Sequence, residues 1–112
     1  MYYQNKYKNK KTIIDGIEFD SKAEAKRYSE LKLLERAKKI SNLELQPCFI
    51  LQKPFKKNGK TYRAITYIAD FKYEENGQVI VEDVKGMKTK KFQIKRKLFE
   101  YKYPDLEIKI IN

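Results

Sequence analysis

The chain has no histidine, and its 112 residues include a single cysteine, Cys48. Without histidine, zinc sites of the usual kind and every histidine-based catalytic triad are excluded. A lone cysteine forms no intramolecular disulfide, so a reducing cytoplasm is the expected compartment. No apolar run is long enough to span a bilayer, and the lysine-rich N-terminus lacks a signal peptide's apolar core, so no membrane association is expected. Four glycines and three prolines make no linker, and no internal repeat or compositional break marks a second domain. Any chemistry is left to carboxylates, lysines, tyrosines or a metal held by oxygen.

The residues present describe a folding chain with a charge problem. Hydrophobic residues make up 41%, with nine tyrosines and six phenylalanines, enough for one modest core. The formal net charge is +11 and the pI about 9.6. An excess of this size favours a polyanion, which on composition alone is nucleic acid or an anionic membrane. Residues 1–11, MYYQNKYKNKK, have neither helical nor strand period and read as a basic, tyrosine-containing arm; residues 12–112 read as a single domain.

Asp15-Gly16 reads as the turn of a small hairpin. FDSKAEAKRYSELKLLERAKKI reads as a helix: Ser21 and Glu24 have capping-box spacing, and Tyr28, Leu31 and Leu34 form an apolar stripe widened by Ala23, Leu33 and Ala37. LELQPCFIL reads as a strand with a bulge or edge at Pro47. Asn58-Gly59 and Asn76-Gly77 are hairpin turns around a long strand over 60–74, followed by QVIVEDVKG. A second helix begins at an N-cap Thr89, shows Ile94, Leu98 and Tyr101 at helical spacing, and stops at Pro104. LEIKII closes the chain as a strand. Because a helix joins it to QVIVEDV, those two strands are expected to be parallel neighbours.

The stretch VIVEDVKG, residues 79–86, ends an apolar strand with Glu82, Asp83 and Lys85, three charges where burial is expected. If Asn76-Gly77 is a two-residue loop, Glu75 faces Gln78. Counting back from there places Asp70 opposite Asp83 and Ile68 opposite Lys85. Opposed residues share a face with Cβ atoms about 4.5–5.5 Å apart, so the two aspartates repel unless a positive group joins them. Lys85 is one candidate, as a simple salt bridge; a divalent cation is the other. Glu82 points to the opposite face as a solvated or helix-covered charge, and Glu24 is either the capping-box partner of Ser21 or a further ligand.

Asp70, Asp83-Val84-Lys85 and Glu24, in an α-β-β-β-α-β order, resemble the PD-(D/E)XK nuclease superfamily, although Ala69 stands where the motif's name expects proline. FDSKAE, YIADF, VEDVKG and KRKLFEYKYPDLEI are similar, from about Lys10 onward, to a family of small phage and prophage proteins long labelled a domain of unknown function. The resemblance implies a restriction-endonuclease-like fold of α/β (α+β) class, with a mixed sheet flanked by helices. It implies a DNA endonuclease dependent on Mg²⁺ or Mn²⁺, acting in the host cytoplasm. Asp70, Asp83, the backbone carbonyl of Val84 and Glu24 would hold the ion, and Glu24, Asp70, Asp83 and Lys85 would form the catalytic set. The DNA is expected to bind Lys88, Lys90, Lys91, Lys95, Arg96 and Lys97 beside the site, with Lys6, Lys8, Lys10 and Lys11 of the arm contributing. Branched DNA such as a Holliday junction, cut by a homodimer that pairs two sites, is the expected substrate. The competing readings are a non-catalytic DNA-binding protein, with the aspartates bridged to Lys85 or Arg63, and a basic accessory protein of a replication or packaging complex.

Overall fold

A computed structural model describes residues 11–84 and 89–112. Lys6, Lys8 and Lys10 of the arm, and Lys85 and Lys88 beyond the proposed site strand, therefore lie outside the described residues. The described part is a mixed α+β domain built on a four-stranded mixed sheet and two helices.

The chain begins with a hairpin, β1 (Thr12–Ile14) and β2 (Ile17–Phe19), around Asp15-Gly16. Helix α1 (Lys22–Arg36) follows, with the Ser21 hydroxyl accepting the Glu24 N–H at 3.1 Å as its N-cap. Ala25, Tyr28 and Leu31 are its buried face. The expected widening of that stripe fails, because Leu33 is 62% exposed and Ala23 and Ala37 also face solvent.

The central sheet runs in the order β10-β9-β8-β3: Ile108–Ile111, Gln78–Val84, Phe71–Glu75 and Ser41–Leu45. β8 and β9 are antiparallel around Asn76-Gly77, from Glu75 opposite Gln78 to Phe71 opposite Glu82, as the turn residues dictate. The ladder ends there, so the expected pairing of Asp70 with Asp83 is not part of it, and Ile68 pairs with Cys48 instead. Asn76 and Gly77 both have positive φ, 51° and 78°, which the tight hairpin turn requires. β9 and β10 are parallel, joined through helix α2 (Lys90–Lys102), whose N-cap Thr89 accepts the Phe92 N–H.

Two long strands read from the sequence are broken. LELQPCFIL divides at Gln46-Pro47 into β3 and β4 (Cys48–Gln52), and the 60–74 strand divides into β6 (Lys60–Tyr62), β7 (Ile65–Ile68) and β8. β4 pairs with β7, and β5 (Phe55–Lys57) pairs with β6, each as a separate two-stranded ribbon.

Two apolar clusters face α1 and α2. Under α1 lie Phe19, Ala25, Tyr28, Leu31, Ile40, Phe71 and Tyr73. Under α2 lie Phe49, Leu51, Tyr67, Val81, Phe92, Phe99 and Ile108, with Phe99 edge-on to Phe49 at 5.0 Å. The helix therefore turns Phe92 and Phe99 inward, and the expected stripe of Ile94, Leu98 and Tyr101 is exposed, Tyr101 by 89%. Both lines have helical spacing; the larger aromatic pair buries more area and takes the core.

Glu82 is helix-covered and fully buried, at 0% exposure. Arg27 grips it from α1 with Nε 2.8 Å from Oε1 and Nη2 2.6 Å from Oε2, and the Tyr73 hydroxyl donates to Oε2. The bond to Glu82, opposed by burial, holds the Arg27 guanidinium firmly protonated. Such a bidentate pair is geometrically exacting, so it fixes the rotation and height of α1 against β9.

Candidate active site

β3–β4 and β7–β8 bend together at one point. Gln46 has φ of +51°, and its N–H donates to the Asp70 carbonyl at 3.0 Å; the Ala69 N–H donates to the Pro47 carbonyl at 3.1 Å. Pro47 has no N–H for a ladder, so the sheet is interrupted there. At this bend the Asp70 N–H reaches the Glu82 carbonyl, and the Asp70 carboxylate turns to accept the Val84 N–H at 2.7 Å. A bend of this kind re-aims a side chain that a flat pleat would hold.

Asp83 sits on β9 between β8 and β10, 3% exposed, and accepts a hydrogen bond from the Tyr67 hydroxyl. Burial, and then that bond to Asp83, push the Tyr67 hydroxyl far above its ordinary range, so Tyr67 remains a donor. The charge of Asp83, and that of Glu24 in the first turn of α1, both act on the Asp70 carboxyl. Burial first, then Glu24 and Asp83, raise Asp70 up to about 7, against the Val84 N–H, which pulls it down. Glu24 and Asp70 share a cleft of about 200 Å³ with Glu18, Phe19, Gln46 and Phe71. A larger hollow of about 590 Å³ lies at the far end of β8–β9, between Gly77 and Asp105, away from these carboxylates.

The expected carboxylates thus come within electrostatic reach of one another: Asp83 and, from the helix, Glu24 both act on Asp70. Among the described residues no group of three or more His, Cys, Asp and Glu side chains is placed to hold a metal ion. The donor set nonetheless fits a hard divalent cation, because Mg²⁺ keeps several waters and takes only one or two protein carboxylates. Of the expected cationic surface, Lys90, Lys91 and Lys97 are exposed on α2, Lys95 and Arg96 are half-buried, and Arg96 pairs with Glu100 at 3.2 Å. Lys11 is exposed, 4.0 Å from Glu18. Arg63, the alternative bridge to the aspartates, is exposed at the opposite end of β7 from Asp70. Sequence reasoning missed Arg27, Tyr67 and Tyr73. Arg27 had a signal, since it lies within the Glu24-Tyr28-Leu31 face of the helix; the two tyrosines had none beyond strand alternation.

A consequence for stability follows from Asp70. A carboxyl raised in the folded state holds its proton more tightly there than in the unfolded chain. Its contribution is present below the ordinary aspartate range and is lost as pH rises from about 4 to about 7. In EDTA at pH 8, Asp70→Asn, whose amide oxygen can still accept the Val84 N–H, is expected to melt higher than wild type. Allowing for solvent screening, the gain is on the order of 1–2 kcal/mol, and the difference should vanish near pH 4. Thermal melts of both proteins across that range check it.

No helix among the described residues is long and apolar enough to cross a membrane. Neither the curated proteins nor the solved structures include a match to the chain. A family model does match, over residues 4–112, and the chain accordingly belongs to the family described as "Protein of unknown function (DUF1064)".

Proposed function

We propose that the protein is a metal-dependent DNA endonuclease of the PD-(D/E)XK kind. The observation that carries the reading is the Asp70 carboxylate turned at the bend onto the Val84 N–H, beside the buried Asp83, with Asp83 and Glu24 both in electrostatic reach of it. Structural carboxylates rarely crowd together away from water, whereas a phosphodiesterase needs that crowding to hold a cation against a phosphate. Bound there, Mg²⁺ or Mn²⁺ supplies Lewis acidity toward the scissile phosphate and a more acidic attacking water. Asp70 and Asp83 would hold the ion, with the Val84 carbonyl and Glu24 completing the set directly or through water. Tyr67 fixes the Asp83 carboxylate, and the Val84 N–H fixes that of Asp70. Lys85 follows Asp83 by two residues and would steady charge on the phosphate oxygens.

The N-terminus of α2, with Lys90 and Lys91 in its first turn and no acidic residue there, is suited to backbone phosphates. Neither helix sequence looks like a base-reading recognition helix, and a branched or otherwise structured DNA, cut by a homodimer, is the proposed substrate, in a phage recombination or replication setting. DNA binding is expected to weaken steeply with salt, and Lys90→Gln with Lys91→Gln to lower the slope of log K against log salt by about 2. An unchanged slope would remove these lysines from the interface. Incubation with linear, flapped and four-way substrates, with Mg²⁺ and with EDTA, tests the activity. Binding without Mg²⁺-dependent cutting would leave a non-catalytic DNA-binding protein.

A further inference from the structure

The β5–β6 hairpin carries charge and aromatic surface that the carboxylate site does not use. From Lys53 to Arg63 the chain holds five cations and no anion: Lys53, Lys56, Lys57, Lys60 and Arg63. All six strand residues are exposed, and the two strands pair with each other in a sheet of their own. Lys57 stands directly opposite Lys60, and Phe55 directly opposite Tyr62. Opposed residues and their second neighbours share a face, so one face of the hairpin presents an aromatic pair followed by a lysine pair. The two rings are stacked at 4.7 Å with an interplanar angle of 10°, yet remain 43% and 38% exposed. The Lys60 ammonium lies 5.1 Å from the Tyr62 ring centre.

A like-charge pair directly across a hairpin is destabilising, and an isolated two-stranded hairpin is marginal already. A purely structural tip would carry Lys57 opposite an acid. The arrangement makes sense when phosphates lie between the lysines and a planar group extends the aromatic stack. We infer that this hairpin is a second nucleic-acid contact, selective for unpaired bases: Phe55 and Tyr62 stack on a base while Lys57 and Lys60 hold the adjoining phosphates. Stacking platforms beside cationic grooves bind single strands in this way. Along the chain the hairpin is inserted between β4 and β7, and its tip at Gly59 is eleven residues from Asp70, which bounds their separation at about 36 Å. It would thus grip an unpaired region within about ten base pairs' length of the carboxylates. The proposal rests on the preceding reading only in taking nucleic acid as the partner.

The test uses the full chain in EDTA, where cleavage is not read, with a fluorescein-labelled oligo-dT strand and a duplex of equal length. Phe55→Leu with Tyr62→Val keeps a cross-strand apolar pair, and so the hairpin, but removes both π faces. It is expected to weaken oligo-dT binding about tenfold or more, with duplex binding changed less than about twofold. Lys57→Gln with Lys60→Gln is expected to lower the single-strand salt slope by about 1.4. Tyr62→Trp should retain affinity, with its fluorescence quenched on oligo-dT. Unchanged oligo-dT affinity on Phe55→Leu with Tyr62→Val reduces the rings to a hairpin staple and overturns the proposal. Hairpin-dependent binding to phosphatidylserine vesicles without oligonucleotide binding also overturns it. The nuclease reading is judged separately, by Mg²⁺-dependent stabilisation and cleavage, so either can fail alone.

Discussion

Asp83→Asn is expected to abolish Mg²⁺-dependent cleavage, by on the order of a thousandfold or more, while DNA binding stays equal or tightens. Loss of a metal-binding carboxylate forfeits several kcal/mol of transition-state charge stabilisation, and each 1.4 kcal/mol is about tenfold in rate. The same change removes a negative charge beside phosphate, which accounts for the retained or tighter binding. The side chain is 3% exposed and receives the Tyr67 hydroxyl, but asparagine offers an oxygen of the same shape to that donor. Relief of the repulsion between the charges of Asp83 and Asp70 then works in favour of the folded state. Millimolar Mg²⁺ should raise the wild-type melting temperature and leave that of Asp83→Asn unmoved, because an ion that binds only the folded protein stabilises it by mass action. If Mg²⁺ does not raise the wild-type melt, and Asp83→Asn melts lower than wild type, the two aspartates are a structural pair and the nuclease reading falls. Lys85→Ala separates roles further: it should lose rate while the Mg²⁺ shift in melting persists.

The β8–β9 register, as far as Phe71 opposite Glu82, was legible because one local rule governs it. Asn76-Gly77 admits positive φ at two successive positions, the turn is two residues long, and every later pairing in β8–β9 follows from it. The parallel placement of β10 followed from the helix before it, and the N-caps Ser21 and Thr89 from their hydroxyls. What stayed hidden was tertiary. The break at Gln46-Pro47 depends on a glutamine in left-handed conformation, for which its residue type gives no warning, although Pro47 marked the place. The matching break at Ala69-Asp70 has no local marker at all, since YIADF reads as unbroken strand. On α2, Ile94-Leu98-Tyr101 and Phe92-Phe99 both have helical spacing, and only the sheet's position decides which is buried. Pairings across 55 residues, as between Arg27 and Glu82, have no periodic trace.

Arg27→Ala is expected to destabilise the protein by about 3–5 kcal/mol, because it strips the partner from a carboxylate that has no exposed surface. Glu82→Ala should cost less, since the Arg27 side chain is 19% exposed and can swing its guanidinium toward Glu30, already 3.0 Å away. Replacing both partners at once with apolar residues of similar volume, Arg27→Met with Glu82→Leu, should recover much of the loss, as buried pairs exchanged for packed side chains are often neutral or better. The Tyr73 hydroxyl would then lose its acceptor, so Tyr73→Phe belongs in the same background. If stability were the pair's whole role, the apolar triple variant would also keep full activity. Its geometry argues otherwise. Arg27 is one turn along α1 from Glu24, and Glu82 is the neighbour of Asp83, so this ion pair is expected to set how far Glu24 stands from the two aspartates. The triple variant is therefore expected to fold, melt near wild type, and require more Mg²⁺ for half-maximal stabilisation. Denaturant melts at graded Mg²⁺ concentrations read both quantities from one protein. An unchanged Mg²⁺ requirement in a well-folded triple variant would leave the pair a role in stability alone.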